Sequence, residues 1–197
     1  MGNLARKMAR RQAKQLSSSV FGQSAEVAKL PFGPCFMTET WREVNQSQPD
    51  LISTMVTRRL PGKLFLAGMA LVDRTCLGVK NGYKTKPLNE KGIIGYLEQL
   101  SRTGEVEEVE PLEALSVVHH ALAYAAKLGF SPQPDFPAQI FGPRPESLID
   151  TPHANDPRPQ YLSGPDDDVE TVIRTLDETV GKGNYDFVLG GFGDFDL

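Results

Sequence analysis

Cysteine is nearly absent from this sequence: its 197 residues contain only Cys35 and Cys76. Two thiols without a Cys-x-x-Cys spacing exclude a disulfide framework and a zinc ribbon, and they point to reduced, buried side chains. Long hydrophobic runs are missing as well. The longest, Leu64 to Val72, is interrupted by Gly68 and falls well short of the ~18 apolar residues that cross a bilayer, so integral membrane association is not expected. The first residues carry charge but no apolar segment of a secretory signal, which makes a cytoplasmic location the expectation. An Arg-rich, acid-free, Ser-containing start also fits the loose composition of an organelle transit peptide. No GxxxxGK[ST] and no GxGxxG occurs, so neither a phosphate loop nor a dinucleotide site is announced. With three histidines and no metal-ligand spacing, neither a metal nor a cofactor is expected.

What is present suits a folded domain. Apolar residues make up 40% and charged residues 23% of the chain, close enough to globular averages to rule against global disorder, and the length suits one core with tails. Fifteen prolines and eighteen glycines predict many turns and some long irregular stretches.

Charge is unevenly placed. The formal net charge is −4, yet Arg6, Lys7, Arg10, Arg11 and Lys14 stand together in a start without acidic residues; removing them leaves −9 on the remainder. At ~100° per residue, Leu4, Ala5, Met8, Ala9, Gln12 and Leu16 share one arc of a helix and the five basic side chains the other, with Asn3 as N-cap. Residues 1–16 are therefore predicted to form a basic amphipathic helix. Such an arm neutralises phosphates of RNA, DNA or the ribosome. An anionic membrane is the alternative, although no Trp or Phe anchors the apolar arc; so are a solvated tail and a helix docked on the acidic body of its own chain. Residues 17–30, rich in serine at first, read as a linker.

The strongest structural signal is a hairpin, Leu51 to Leu60 and Lys63 to Asp73, joined at Pro61-Gly62. Proline presets φ for the first turn position and glycine accepts positive φ at the second, which suits a type II turn with Leu60 opposite Lys63, Arg58 opposite Phe65 and Thr54 opposite Met69. The second strand is apolar on both faces and is expected to be covered on both. The first mixes Ile52, Met55 and Val56 with polar residues and is expected to keep one wetter face. Cys35 to Val44 can supply a third strand or an edge segment, with a helix as the alternative.

The run Trp41…Val56-x-Arg58-x-x-Pro61-Gly62…Leu71-Val72-Asp73-x-x-Cys76-Leu77-Gly78-Val79-Lys80-Asn81-Gly82-Tyr83 resembles a family of uncharacterised bacterial proteins. The likeness continues through Leu128-Gly129-Phe130, Asp135-Phe136 and Ser163-Gly164-Pro165-Asp166-Asp167. Some members carry a cysteine-rich zinc tail of the kind found on SecA, for which this sequence has no cysteines. The resemblance implies a bacterial, cytoplasmic domain and carries over no catalytic residue.

Pro111 to Gly129 reads as the core helix, with proline in its first turn and glycine at its end. Only Glu113, Ser116, His120 and Lys127 form its polar wedge. His119 falls in the apolar arc, while His120 is expected to project to solvent. A desolvated His119 can serve as a general base, and Asp73 is the carboxylate to pair with it or with Lys80 in a hydrolase or nuclease-like site. The alternatives are a core histidine bonded to backbone and a strand-terminal Asp73 accepting turn N–H groups. A second amphipathic helix carries Val169, Val172, Ile173, Leu176 and Val180, with Asp166, Asp167 and Asp168 in its first turn as dipole and cap residues or as a divalent-cation site. Ser131 to Pro159, including His153, is a proline-rich strap, and Asn184 to Leu189 a short last strand. The tail 190–197 is expected to be flexible and acidic, a docking peptide for a basic groove on a partner protein or a frayed end.

These signals predict an α+β fold: a small, mainly antiparallel sheet centred on a hairpin over residues 31–189, packed by two or three helices, with a basic helical N-terminal extension. The expected function is that of a non-catalytic accessory protein that contacts nucleic acid or the ribosome through its arm. A hydrolase or nuclease built on Asp73, His119 and Lys80, and a protein-interaction module, are the alternatives.

Overall fold

The molecule is α+β. The computed structural model describes residues 24–43, 50–152 and 158–188. Its elements run α1 (Ser24–Ala28), β1 (Cys35–Thr38), a 3-10 turn (Glu39–Arg42), β2 (Leu51–Leu60), β3 (Leu64–Asp73), β4 (Gly78–Lys84), α2 (Glu90–Leu100), β5 (Val106–Val109), α3 (Pro111–Lys127), α4 (Ala138–Phe141), β6 (Gln160–Leu162), α5 (Val169–Thr179) and β7 (Asp186–Val188). Five strands form an antiparallel sheet in the order β4-β3-β2-β1-β5, and β6 and β7 form a separate parallel pair.

The hairpin at the centre forms with a register one residue away from expectation. Leu60 pairs with Leu64 rather than Lys63, Arg59 with Phe65 and Thr54 with Ala70. The reason is a third loop residue: Gly62 and Lys63 both take positive φ, 77° and 58°, so the turn is Pro61-Gly62-Lys63 rather than a two-residue type II turn. A left-handed residue closing a three-residue loop keeps the strands' right-handed twist, which a type II turn would splay.

Period-2 alternation then distributes side chains to the two faces. On one, Ile52, Val56, Leu66, Ala70 and Val72 meet α3 through Ala114, Val117, Val118 and Ala121, and α4 through Ile140 and Phe141. On the other, Met55, Phe65, Ala67 and Met69 meet Ile93 and Leu100 of α2. β3 is covered on both faces, as its sequence predicts. β2 keeps one wetter face, as expected: Leu51 and Ser53 are partly exposed and Arg59 is exposed, whereas Ile52, Thr54, Val56 and Arg58 on the other face are buried, and so is Thr57. Thr57 Oγ1 donates to Pro34 O at 2.8 Å, and Arg58 donates to the carbonyls of Leu30, Ile140 and Phe141 while stacking on Phe32. The polar atoms of Thr57 and Arg58 are thus satisfied by backbone oxygens, which is what makes their burial tolerable, whereas Thr54 Oγ1 finds no hydrogen-bond partner among the described residues.

β1 is an interior strand, between β2 and β5, and the chain turns into the 3-10 segment at Glu39. The end of the segment read as a linker is structured: Ser24–Ala28 is helical and Val27 joins the main core. The later half of α3 lies against β4 at Gly78, and Tyr124 and Leu128 build a third cluster with Cys76, Tyr161 and Leu176. That cluster fastens α5 and the β6–β7 pair to the turn between β3 and β4. Among the described residues no helix is long and apolar enough to cross a membrane.

Candidate functional site

The sequence places its candidate chemistry at the end of β3, and the structure builds a dense polar node there. Asp73 is fully buried. Its Oδ1 accepts hydrogen bonds from Thr75 N at 2.9 Å, Thr75 Oγ1 at 3.0 Å and Cys76 N at 3.0 Å, and its Oδ2 accepts one from Leu77 N at 3.1 Å. Burial raises the pKa of this carboxyl, against the opposing pull of those donors and of Lys80. Four donors on two oxygens leave little acceptor capacity for a substrate, so Asp73 organises the turn that starts β4.

Lys80 follows on β4 at an irregularity in the pairing with β3. Its Nζ donates to Leu162 O and, at 2.8 Å, to Asp167 Oδ2, both side chains being 9% exposed. The same carboxylate oxygen accepts from Gly164 N at 2.7 Å and Tyr161 Oη at 3.1 Å. Burial pushes Asp167 up, but the ammonium, the amide and the hydroxyl outweigh it and hold the carboxyl below its ordinary range. Burial and then the Asp167 charge raise the Tyr161 hydroxyl. Burial and then the Asp73 charge raise the Cys76 thiol. The aspartate triplet before α5 therefore divides its work. Asp168 caps the helix through Thr171 N at 3.1 Å, Asp166 is exposed, and Asp167 turns inward to Lys80.

His119 stands elsewhere. The groups that act on it are Arg144, the Gly142 backbone and His120, and those acting on Asp73 are Thr75, Leu77 and Lys80. The structure thus joins Asp73 and Lys80 in one node and leaves His119 in another environment. Burial first, then the Arg144 charge, lowers the His119 pKa. His120 does not project to solvent as its helical position suggests. It is half-buried with Nε2 covered, because the strap after α4 folds over this side of α3, where Ile149 N donates to Ser116 Oγ at 3.1 Å. Neither Nε2 finds a hydrogen-bond partner among the described residues. His153 and the basic residues Arg6, Lys7, Arg10, Arg11 and Lys14 lie outside the described residues, as does the tail from 189 onward.

Two buried arginines escape sequence reading. Arg74, 3% exposed, pairs with Asp50 at 2.5 Å and donates to the carbonyls of Trp41 and Glu43; Arg58 has been placed above. A basic residue inside an apolar strand, as Arg58 is, was the available signal. Surface grooves open at other places. One of about 180 Å3 lies between the end of α2 and β4, floored by Met69 and Leu71. A second, of about 440 Å3, runs along Asn81–Lys84 against Pro134 to Gln139. A third, of about 540 Å3, borders β5 with Glu108, Glu110 and Glu113 on its rim. None of the three is lined by Asp73, Lys80 or His119. Among the described residues no three His, Cys, Asp or Glu side chains are grouped to hold a metal ion.

Compared with protein families, with curated proteins and with solved structures, the chain finds no match.

Proposed function

We propose that this protein is a non-catalytic binding or accessory protein whose N-terminal basic arm contacts the phosphates of RNA, DNA or the ribosome while the α+β body acts as its scaffold. The resemblance of the central motif to uncharacterised bacterial proteins makes a bacterial cell the proposed setting. The observation that carries the reading is the separation of charge: five basic residues and no acidic one in the first fourteen positions, against −9 on the rest. A body of that sign repels nucleic acid, so the arm must supply the attraction. The structure adds support, because Asp73, Lys80, Asp167, Arg74 and Asp50 are engaged with one another or with backbone groups in holding the turn, the 3-10 segment and α5 in place.

The test is binding of a fluorescent RNA and of a DNA duplex by the full chain across a salt series. With five phosphates neutralised, log K falls against log salt with a slope of about −4 to −5 on duplex DNA. Removing residues 1–16, or replacing the five basic residues by Gln, abolishes binding on both probes. Unchanged binding by the shortened chain, or no binding by the full chain even at low salt, overturns the proposal.

A further inference from the structure

The strap that follows α4 covers one side of α3, and its hold there is slight. Residues 142–151 form neither helix nor strand. Among the described residues the backbone of this stretch is fastened by Gly142 N on Ala138 O at 2.7 Å and by Ile149 N on Ser116 Oγ at 3.1 Å, and just beyond it Pro152 O takes a long contact of 3.5 Å from Arg74. Ile149 adds apolar contact with the main core. Against these stand Thr151 Oγ1, His119 Nε2 and His120 Nε2, all buried without a hydrogen-bond partner among the described residues. Each gives up water and gains no bond in exchange, which works against the closed position.

His119 makes that balance depend on pH. The ring hydrogen-bonds the Gly142 backbone where the strap begins, and the charged and titratable groups acting on it among the described residues are Arg144 from the strap and His120 from its own helix, with no carboxylate. An imidazolium carries two N–H donors and no acceptor. With the strap down, the donor at Nε2 has no acceptor, water is excluded and the Arg144 guanidinium adds a like charge. With the strap lifted, both N–H groups reach water and Arg144 moves away with the strap. Protonation therefore favours the lifted position, in line with the burial and the Arg144 charge that lower the pKa of the covered ring.

We infer that residues 142–151 are a pH-operated flap, which lies on α3 while His119 is neutral and lifts from Ser116 when His119 takes up a proton beside Arg144. This goes beyond the arm-mediated function and is independent of it. Lifting uncovers the side of α3 that carries Ser116, His119 and His120 together with the seat of Ile149 on the core, a surface that neutral pH keeps covered.

The test is amide exchange of the full chain at pH 7.5 and 5.5, with protection at Ile149 corrected for the intrinsic exchange rates. Protection there is expected to fall severalfold on acidification, with a ceiling of about tenfold because a freed imidazole titrates near 6.5. It is also expected to be insensitive to urea well below the unfolding midpoint, as local opening is, while the amides of β2 respond to urea through global unfolding. Equal protection at the two pH values, or protection at Ile149 that follows β2 in urea, overturns the inference. His119→Gln keeps a polar side chain under the strap without the titration, so protection at Ile149 loses its pH dependence; a fall as large as in the parent protein overturns it. Because a substitution within α3 can disturb the fold, Arg144→Gln, at an exposed position, is the second variant. Removing the like charge should make the fall at Ile149 smaller, and an unchanged fall overturns the inference.

Discussion

Asp73 and the two cysteines show how burial decides what a reactive residue type can do. The carboxylate is spent on four donors of its own turn, and the thiols are sealed. Cys35 is fully buried with its pKa pushed up to about 11, and Cys76 is equally buried with its thiol raised by the same cause. A thiol reagent at pH 8 is therefore expected to leave both cysteines untouched in the native protein and to titrate two thiols in urea; one fast-reacting native thiol would contradict this. His119 supplies a pH dependence. Its folded pKa lies below the ordinary value of about 6.5, so on acidification the unfolded chain takes the proton first. Its contribution to stability is present above about pH 6.5 and is lost as the pH falls through the lower folded value. Urea midpoints measured from pH 7.5 to 5 should fall, and His119→Gln should flatten that decline. Asp167, whose folded pKa is depressed, acts in a lower window, its contribution being lost below about pH 4. The turn role of Asp73 was legible as one of two readings, since an Asp at the end of a strand commonly accepts turn N–H groups. The partner of Lys80 was not: Asp167 lies 87 positions away, and no local pattern encodes that pairing.

At the scale of elements, legibility followed periodicity. α3, with its wide apolar arc and its Pro and Gly ends, and α5, with five apolar residues at helical spacing, could be placed from sequence because packing and pattern agree. α2 could not, for Gly92 and Gly95 interrupt an otherwise amphipathic segment and glycine carries the second-worst helix propensity. β4 hides for a related reason. Gly78 and Gly82 weaken its strand signal, yet each is there for close approach. Gly78 takes φ 72°, and a Cβ there would stand 2.8 Å from Ala125 Cβ and 3.0 Å from Ala121 O on α3. Gly78→Ala therefore combines a left-handed backbone with a clash against a helix. It should lower stability by about 2–4 kcal/mol, read as a reduced urea midpoint with unchanged m-value. A substitution within a few tenths of neutral would mean that α3 can move off the sheet. The hairpin register slipped by one residue for an equally local reason: Lys63 adopts a conformation that sequence reading reserves for Gly or Asn.

For the whole molecule, hydrophobic pattern and turn signals placed the body among α+β domains, and the fold of the described residues agrees, while the basic arm lies outside them. The polar node was less legible because it rests on relations between distant segments, residues 73–80 with 160–167. Sheet order carries a further consequence, for folding rather than binding. β2, β3 and β4 are consecutive neighbours joined by short turns, whereas β1 meets β5 across all of them, with Cys35 opposite Val109. Closing that long loop is costly in chain entropy until the meander already stands. The folding transition state should therefore contain β2–β4 and lack β1–β5. In stopped-flow refolding, Val72→Ala is expected to slow folding, with φ above about 0.5, and Val109→Ala to accelerate unfolding, with φ near zero. The first segment of the sheet to be synthesised would then be among the last to find its place.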